Sequence, residues 1–157
     1  MEQNVNLKID SPNIRLEIKK AFEDLANLKI LKIDLNSYPH IYWSKLSNYV
    51  LNIIIDGVID CSNPTEIFNA IGVAIYDKEE AEQIYEFCRW FNELLDSIDP
   101  YYTFSKPDSA YLNHPEWPKV YEGAKKLYEL MDENDKKYNF SEEYEAYRKA
   151  EDAKYYK

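Results

Sequence analysis

Glycine, cysteine and histidine are scarce in this sequence, and each shortage excludes a class of site. The 157 residues include three glycines, two cysteines and two histidines. No stretch places two glycines within a few residues of each other, which excludes phosphate-binding loops and dinucleotide fingerprints. No two Cys or His residues lie close enough in sequence for a local zinc site. We therefore predict neither a metal nor a cofactor.

Basic residues and long apolar runs are also in short supply. The chain carries 19 Lys and Arg against 29 Asp and Glu, a formal net charge of -10. An acidic excess of this size repels nucleic-acid phosphates and anionic lipids. The longest apolar stretch, residues 50–59, is interrupted by Asp56 and Gly57 and is too short to span a membrane. The sequence starts without a secretory signal pattern, and Cys61 and Cys88 are expected to be reduced thiols, so we expect a cytoplasmic protein. From its charge and its short apolar runs we expect it to bind neither nucleic acid nor membrane.

The sequence does contain strong helical periodicity, with apolar residues recurring every three or four positions. This pattern predicts an all-α fold, a single domain over residues 1–157 with about five helices. The first helix is predicted to begin at Ser11 and Pro12. Its polar face, expected in solvent, holds Arg15, Glu17, Lys19, Lys20, Glu23 and Asp24. Residues 28–35 alternate apolar and polar residues and are predicted to be a loop or a short edge element.

The most apolar helix, predicted from Ile41 to Ile59, is expected to be the central one. A short helix should follow Asn63 and Pro64, with a break at Gly72. A longer helix should start at Asp77, where Asp77 and Glu80 approximate a capping box.

A long, ordered connection rich in proline and tyrosine is predicted over residues 99–118. Another helix is predicted from Pro115 or Pro118. The tail, residues 132–157, is rich in charge and tyrosine and is predicted to contain a loosely docked helix from Ser141.

Negative charge is concentrated in the second half of the chain. Residues 1–75 hold 9 acids and 7 bases, whereas residues 76–157 hold 20 acids and 12 bases. Five acids share one stripe of the helix that starts at Asp77: Glu79, Glu82, Glu86, Glu93 and Asp96. Like charges at this spacing repel each other, so the stripe favours a basic protein partner, with solubility alone as the other interpretation. The neighbouring acids Glu79-Glu80, Asp132-Glu133 and Glu142-Glu143 are all expected to be solvated.

The histidines offer little support for catalysis. His40 follows a proline at a predicted helix start, where packing or capping is the expected role. His114 lies in the proline-rich connection, where it could combine with Tyr111 and a distant carboxylate to form an enzyme site. That enzyme, or a regulatory module that associates with itself as a homo-oligomer, is the alternative to a binding protein.

A specific motif occurs at residues 108–120. Its core is Tyr111-Leu112-Asn113-His114-Pro115-Glu116-Trp117-Pro118-Lys119-Val120. It resembles a family of small uncharacterised bacterial proteins with a Tyr-Leu-x-His-Pro-x-Trp-Pro-x-Val signature, and the resemblance covers most of residues 12–131. It implies no catalytic residues. We interpret Tyr111, His114 and Trp117 as structural, with His114 and Trp117 fixing the connection onto the helices.

By its small, acidic and aromatic character the protein is also similar to immunity proteins that neutralise bacterial toxins. This similarity, the uneven charge and the lack of a catalytic constellation lead to one hypothesis. The protein is expected to be non-enzymatic and to cover the basic surface of a toxin with the stripe from Glu79 to Asp96.

Overall fold

The helix that begins at Pro12 is surrounded by the other helices of the structure. The computed structural model describes residues 9–27, 51–55, 57–101 and 108–155. In these residues the elements are α1 (Pro12–Asn27), a π-helical segment (Leu51–Ile55), α2 (Pro64–Asn69), α3 (Lys78–Ile98), α4 (Asp108–Leu112), α5 (Trp117–Lys137) and α6 (Ser141–Tyr155). About three quarters of the described residues are helical and none of them forms a strand. The prediction of an all-α fold is confirmed.

The starts of α2 and α3 follow the local sequence. The Asn63 side chain caps α2 by accepting hydrogen bonds from two backbone N–H groups of its first turn. Asp77 caps α3, because its carboxylate accepts the backbone N–H of Glu80 at 2.9 Å. Between the two helices Gly72 has a φ of 88°, which favours glycine and accounts for the predicted break.

The core lies where α1, α3 and α5 meet. The predicted apolar face of α1 is buried there, with Ile18, Ala21, Phe22 and Leu25 each at most 1% exposed. The periodicity predicts a buried side of α5 with seven residues, of which Trp117, Val120, Ala124, Leu127 and Met131 are buried. The other two, Tyr121 and Tyr128, are partly buried. α3 approaches α5 so closely that a Cβ atom on Gly123 would lie 2.4 Å from the Phe87 ring.

Several predictions concern residues outside the described ranges. The loop at 28–35, the helix start near His40 and most of the predicted Ile41–Ile59 helix belong to this group. The described end of that helix is the π-helical segment, where Ile54 and Ile55 are buried. Residues 102–107 of the proline-rich connection also lie outside, whereas the end of the connection contains α4 and leads directly into α5 at Trp117.

α5 extends to Lys137 and therefore includes the first residues of the predicted tail. It ends in a turn whose Asn139 has a φ of 60°. The Phe140 N–H donates to the Asp135 carbonyl at 2.7 Å, and the Asn139 N–H donates to the Lys136 carbonyl at 3.4 Å. This pairing is a Schellman cap, in which the left-handed residue is usually glycine and sometimes asparagine. α6 then begins at Ser141, as predicted.

Candidate functional site

The polar face of α1 lies inside the protein. Arg15, Lys19, Lys20, Glu23 and Asp24 are between 0% and 5% exposed, so the prediction that they lie in solvent is wrong. Glu17 alone of the predicted polar face is exposed. Helical periodicity places residues on faces, but it does not show which neighbouring helix covers a face. Here α3, α5 and α6 bring complementary charges against α1.

Arg15 is the centre of this charged interior. Its guanidinium has five N–H donors, and each of them has an acceptor. Nε donates to Asp135 at 2.8 Å, while Nη1 and Nη2 donate to the two carboxylate oxygens of Glu80 at 2.5 and 3.0 Å. The remaining donors reach the carbonyls of Ala74 at 3.2 Å and Met131 at 3.1 Å. α1 is thereby attached to α3, α5 and the segment before α3.

Glu80 is fully buried, so the prediction that it is solvated is wrong. Besides Arg15, it accepts the Tyr76 backbone N–H at 3.1 Å and the Asn134 side-chain amide at 2.8 Å. Its carboxylate therefore does not close the expected capping box with Asp77. A buried carboxylate needs a cation and hydrogen bonds to compensate for lost hydration, and Glu80 has both.

An aromatic stack covers the guanidinium. The Arg15 Cζ atom lies 3.9 Å from the centre of the Tyr76 ring, and the Tyr76 and Tyr138 ring centres are 4.4 Å apart. A planar guanidinium favours such stacking while its edge donates hydrogen bonds. Burial raises the pKa of the Tyr76 hydroxyl, against the opposing effect of the Arg15 charge.

Lys19 extends the same set of charges along α1. Its ammonium donates to Asp135 at 2.7 Å and to Asp132 at 3.0 Å, and it lies 3.9 Å from the centre of the Tyr144 ring. We call Arg15, Lys19, Glu80, Asp132 and Asp135 the Arg15 cluster. Asp132 is partly buried rather than solvated, with 28% of its side chain exposed.

The arrangement of the Arg15 cluster is suited to holding helices together rather than to catalysis. Its guanidinium has no unused donor, and Glu80 and Asp135 already accept from two or more partners each. One local pattern accompanies the buried face of α1, namely opposite charges four residues apart, as in Lys20 and Asp24. Solvated helices carry the same pattern, so it does not predict burial. Nothing in the sequence alone pairs Arg15 with Glu80 and Asp135.

A second set of charges on α1 contacts α6. Lys20 donates to Asp24 at 2.7 Å and to Asp152 at 2.9 Å. The Glu23 carboxylate accepts the Tyr144 hydroxyl at 2.7 Å and lies 3.4 Å from a guanidinium nitrogen of Arg148. The predicted tail helix thus places a fully buried tyrosine against α1.

The predicted partner-binding residues lie along α3, and we call Glu79, Glu82, Glu86, Glu93 and Asp96 the acidic row. Its four glutamates are exposed and Asp96 is half-buried. Glu93 pairs with Arg89 on the same helix, 3.3 Å away. Within the described ranges, no cation forms an ion pair with Glu79, Glu82 or Glu86. These three residues present uncompensated negative charge on one helix face.

The signature residues pack around Trp117. This side chain is fully buried, and its ring contacts Phe91 and Tyr111 edge-on, with centres 5.8 and 6.3 Å apart. His114 is half-buried, and its Nδ1 accepts the Glu116 backbone N–H at 3.1 Å. Tyr111 is 1% exposed. The Trp117 ring thus joins the start of α5 to Phe91 of α3, whereas the hydrogen bond of His114 stays within its own turn.

The two cysteines are free and completely buried. Burial, and next the neighbouring Cys61 thiol, raise the pKa of Cys88 well above its ordinary value. A thiol reacts as the thiolate, so Cys88 is a poor nucleophile in the folded protein, and burial also keeps reagents from Cys61.

The described residues contain no group of three or more His, Cys, Asp or Glu side chains arranged to hold a metal ion. None of the helices in the described ranges combines the length and apolar character needed to cross a membrane.

Comparison with known proteins gives one match. Residues 9–139 match DUF7945, a domain of unknown function. No curated protein and no solved structure matches the chain. The matched range includes the Arg15 cluster, the acidic row and the Trp117 signature, and it ends before α6.

Proposed function

The chain belongs to the DUF7945 family, a domain of unknown function, and we propose that it is a non-enzymatic binding protein for a basic protein surface. The observation that carries this proposal is the contrast between the two sides of α3. On the inner side Glu80 is fully buried and paired with Arg15. On the outer side Glu79, Glu82 and Glu86 are exposed, and no described residue pairs with them.

The distribution of charge between interior and surface supports the same proposal. In the described residues three bases and five acids are buried: Arg15, Lys19, Lys20, Glu23, Asp24, Glu80, Asp99 and Asp135. Among the other charged residues whose burial the structure describes, acids outnumber bases, so this part of the surface is negatively charged. A surface of one sign accelerates association with a partner of the opposite sign.

The more specific proposal is that the partner is a bacterial toxin and that the protein is its immunity protein. Glu79, Glu82 and Glu86 are spaced by three and four residues, so they follow one another along a single face of α3. A toxin that acts on nucleic acid or another anionic substrate needs a basic surface. A row of carboxylates that occupies this surface would block the substrate and neutralise the toxin.

A pair of charge-reversed variants tests the proposal. In the first, Glu79→Lys, Glu82→Lys and Glu86→Lys are combined. In the second, the exposed α5 residues Glu122, Glu129 and Glu133 are all changed to Lys as the matched control, so both variants change the net charge equally. The proposal requires a basic toxin encoded beside this gene, and the lack of one would contradict the immunity role. An inactivated form of that toxin is the binding probe, and affinity is measured by calorimetry at two salt concentrations.

We expect the α3 variant to bind roughly 100-fold more weakly, because each lost charge pair at an interface is worth one or more kcal/mol. The α5 variant should lose much less affinity, and added salt should weaken binding by the wild type. Growth of cells that produce the active toxin should follow the same order. Equal losses in the two variants would assign the effect to net charge and contradict a role for the acidic row, as would no loss in either.

A further inference from the structure

α6 is attached to the rest of the protein mainly by polar contacts. It is 15 residues long, yet among residues 141–153 Tyr144 alone is buried. α1, α3 and α5, by contrast, each bury an apolar face in the core. Hydrophobic burial therefore contributes much less to the docking of α6 than to the packing of the other long helices.

The polar contacts of α6 come from one face of the helix. Tyr144, Arg148 and Asp152 are four residues apart, so they lie above one another. Tyr144 and Arg148 both contact the Glu23 carboxylate, at 2.7 and 3.4 Å, and Asp152 accepts from Lys20 at 2.9 Å. The α1 face beneath α6 is therefore charged.

Opening α6 uncovers one aromatic contact, between Tyr144 and Tyr128, whose ring centres are 6.1 Å apart, and otherwise a charged face. Lys20 and Glu23 are charged groups that water hydrates well, and Lys20 keeps its 2.7 Å hydrogen bond to Asp24, which is on α1 itself. Regions with few buried apolar contacts open locally at a lower free energy than the core. The Arg15 cluster keeps its hydrogen bonds between α1, α3 and α5 when α6 moves, and it loses only the contact between the Lys19 ammonium and the Tyr144 ring.

The connection between α5 and α6 permits such an opening. The last carbonyls of α5 are satisfied by the backbone N–H groups of Tyr138, Asn139 and Phe140, so α5 remains capped when α6 moves. The match to the family ends at residue 139, within this cap. α6 therefore lies outside the residues that match the family.

We propose that α6 is a hinged cover, which opens as a unit at the turn after Asn139 and controls access to a charged face of α1 formed by Lys20, Glu23 and Asp24. In the closed state Lys20 is 2% exposed and protected from amine-modifying reagents. In the open state it is accessible. Lys20 is therefore a modification site whose reactivity is set by α6. The proposal does not depend on the acidic row or on the toxin.

Hydrogen exchange on the full-length protein, followed by mass spectrometry, tests the proposal with two neighbouring variants. Arg148→Gln removes the charge that faces Glu23, and Lys149→Gln removes an exposed charge one residue further along the same helix. Labelling of Lys20 by an amine-reactive ester is measured on the same samples.

In the wild type, amides of α6 should exchange at least roughly tenfold faster than those of α1 and α5. Arg148→Gln should accelerate exchange in α6 alone and increase Lys20 labelling by the same factor, whereas Lys149→Gln should change neither. Exchange of α6 at the rate of α1, an equal acceleration of all helices by Arg148→Gln, or Lys20 labelling that does not follow α6 would each overturn the proposal.

Discussion

Arg15 is a charged residue in the interior of the described structure, and its charge has to be compensated there. It is fully buried, and its donors are divided among two carboxylates and two carbonyls. Breaking a buried ion pair by removing one partner leaves the other charge without compensation. Removing Arg15 would therefore destabilise the protein in two ways. Its hydrogen bonds would be lost, and the buried carboxylates of Glu80 and Asp135 would lose a compensating charge.

We expect Arg15→Met to lower the free energy of unfolding by about 3–5 kcal/mol, because Glu80 loses its only cation among the described residues. Arg15→Lys should recover only part of this loss, since an ammonium lacks the planar fork that meets both oxygens of Glu80. Urea denaturation followed by circular dichroism measures the effect. Arg89→Met, at a side chain that is 52% exposed, is the control and should stay within about 0.5 kcal/mol of wild type. Full stability of Arg15→Lys would contradict the role of the fork.

Asp132 makes the stability dependent on pH in the acid range. Burial raises its pKa, but hydrogen bonds and charges from Lys19 and Lys136 outweigh this and bring the pKa below its ordinary value of 3.8. Because the folded protein holds this proton less tightly than the unfolded chain, the stabilisation is present above pH ~4 and is lost as the pH falls through the folded pKa.

We therefore expect Asp132→Asn to be less stable than wild type at pH 7, with the difference shrinking towards pH 2. Denaturation at a series of pH values measures this dependence. Glu133→Gln, at the exposed neighbouring position, should follow the wild-type curve. A constant difference between Asp132→Asn and wild type at all pH values would show that the ion pairs of Asp132 are not its cause.

Among the elements, α3 and α5 are in tight local contact at Phe87 and Gly123. Alanine at position 123 would favour the helix by about 1 kcal/mol. Its Cβ would, however, lie 2.4 Å from a ring atom of Phe87. That ring is held by Phe22, Trp90 and Phe91, with ring centres 5.4–6.0 Å away, so it has little room to move.

We expect Gly123→Ala to destabilise the protein by about 1–3 kcal/mol, as overpacking does in other cores. In a Phe87→Leu background the same substitution should cost less, because the shorter side chain leaves space for the methyl group. Thermal denaturation of the four proteins in this double-mutant cycle measures the coupling. Equal effects of Gly123→Ala in both backgrounds would exclude the contact as the cause.

The elements differ in how well their sequence predicts them. The starts of α2, α3 and α6 and the apolar faces of α1 and α5 follow from local signals such as Asn63, Asp77 and the periodicity of α5. The burial of Arg15 and Glu80 does not, because their partners are distant in sequence and a charged helix face looks the same whether it is solvated or paired. The sequence places the acidic row along one stripe of α3 because helical spacing alone determines this, whereas the exposure of its four glutamates is seen only in the structure.

At the scale of the whole molecule, chemical labelling of Cys61 and Cys88 measures whether the core unfolds cooperatively. Both are fully buried, and burial is the main cause that raises the pKa of the Cys88 thiol. We expect iodoacetamide to label both at the rate of global unfolding, so labelling and the loss of circular dichroism should share one midpoint in urea. Peptide mass spectrometry separates the two sites. Labelling of either cysteine well below this midpoint would reveal an opening of the core around α3.

The bonds of Arg15 also bear on the order of events in folding. Its partners Glu80 and Asp135 are 65 and 120 residues away along the chain. Contacts that close such long loops carry a large entropic cost and form only when most of the molecule has collapsed. Substitutions at Arg15 should consequently have φ-values near zero, leaving the refolding rate nearly unchanged while unfolding accelerates. The Arg15 cluster would then form late in folding and slow unfolding, and in this way it would determine the lifetime of the native state.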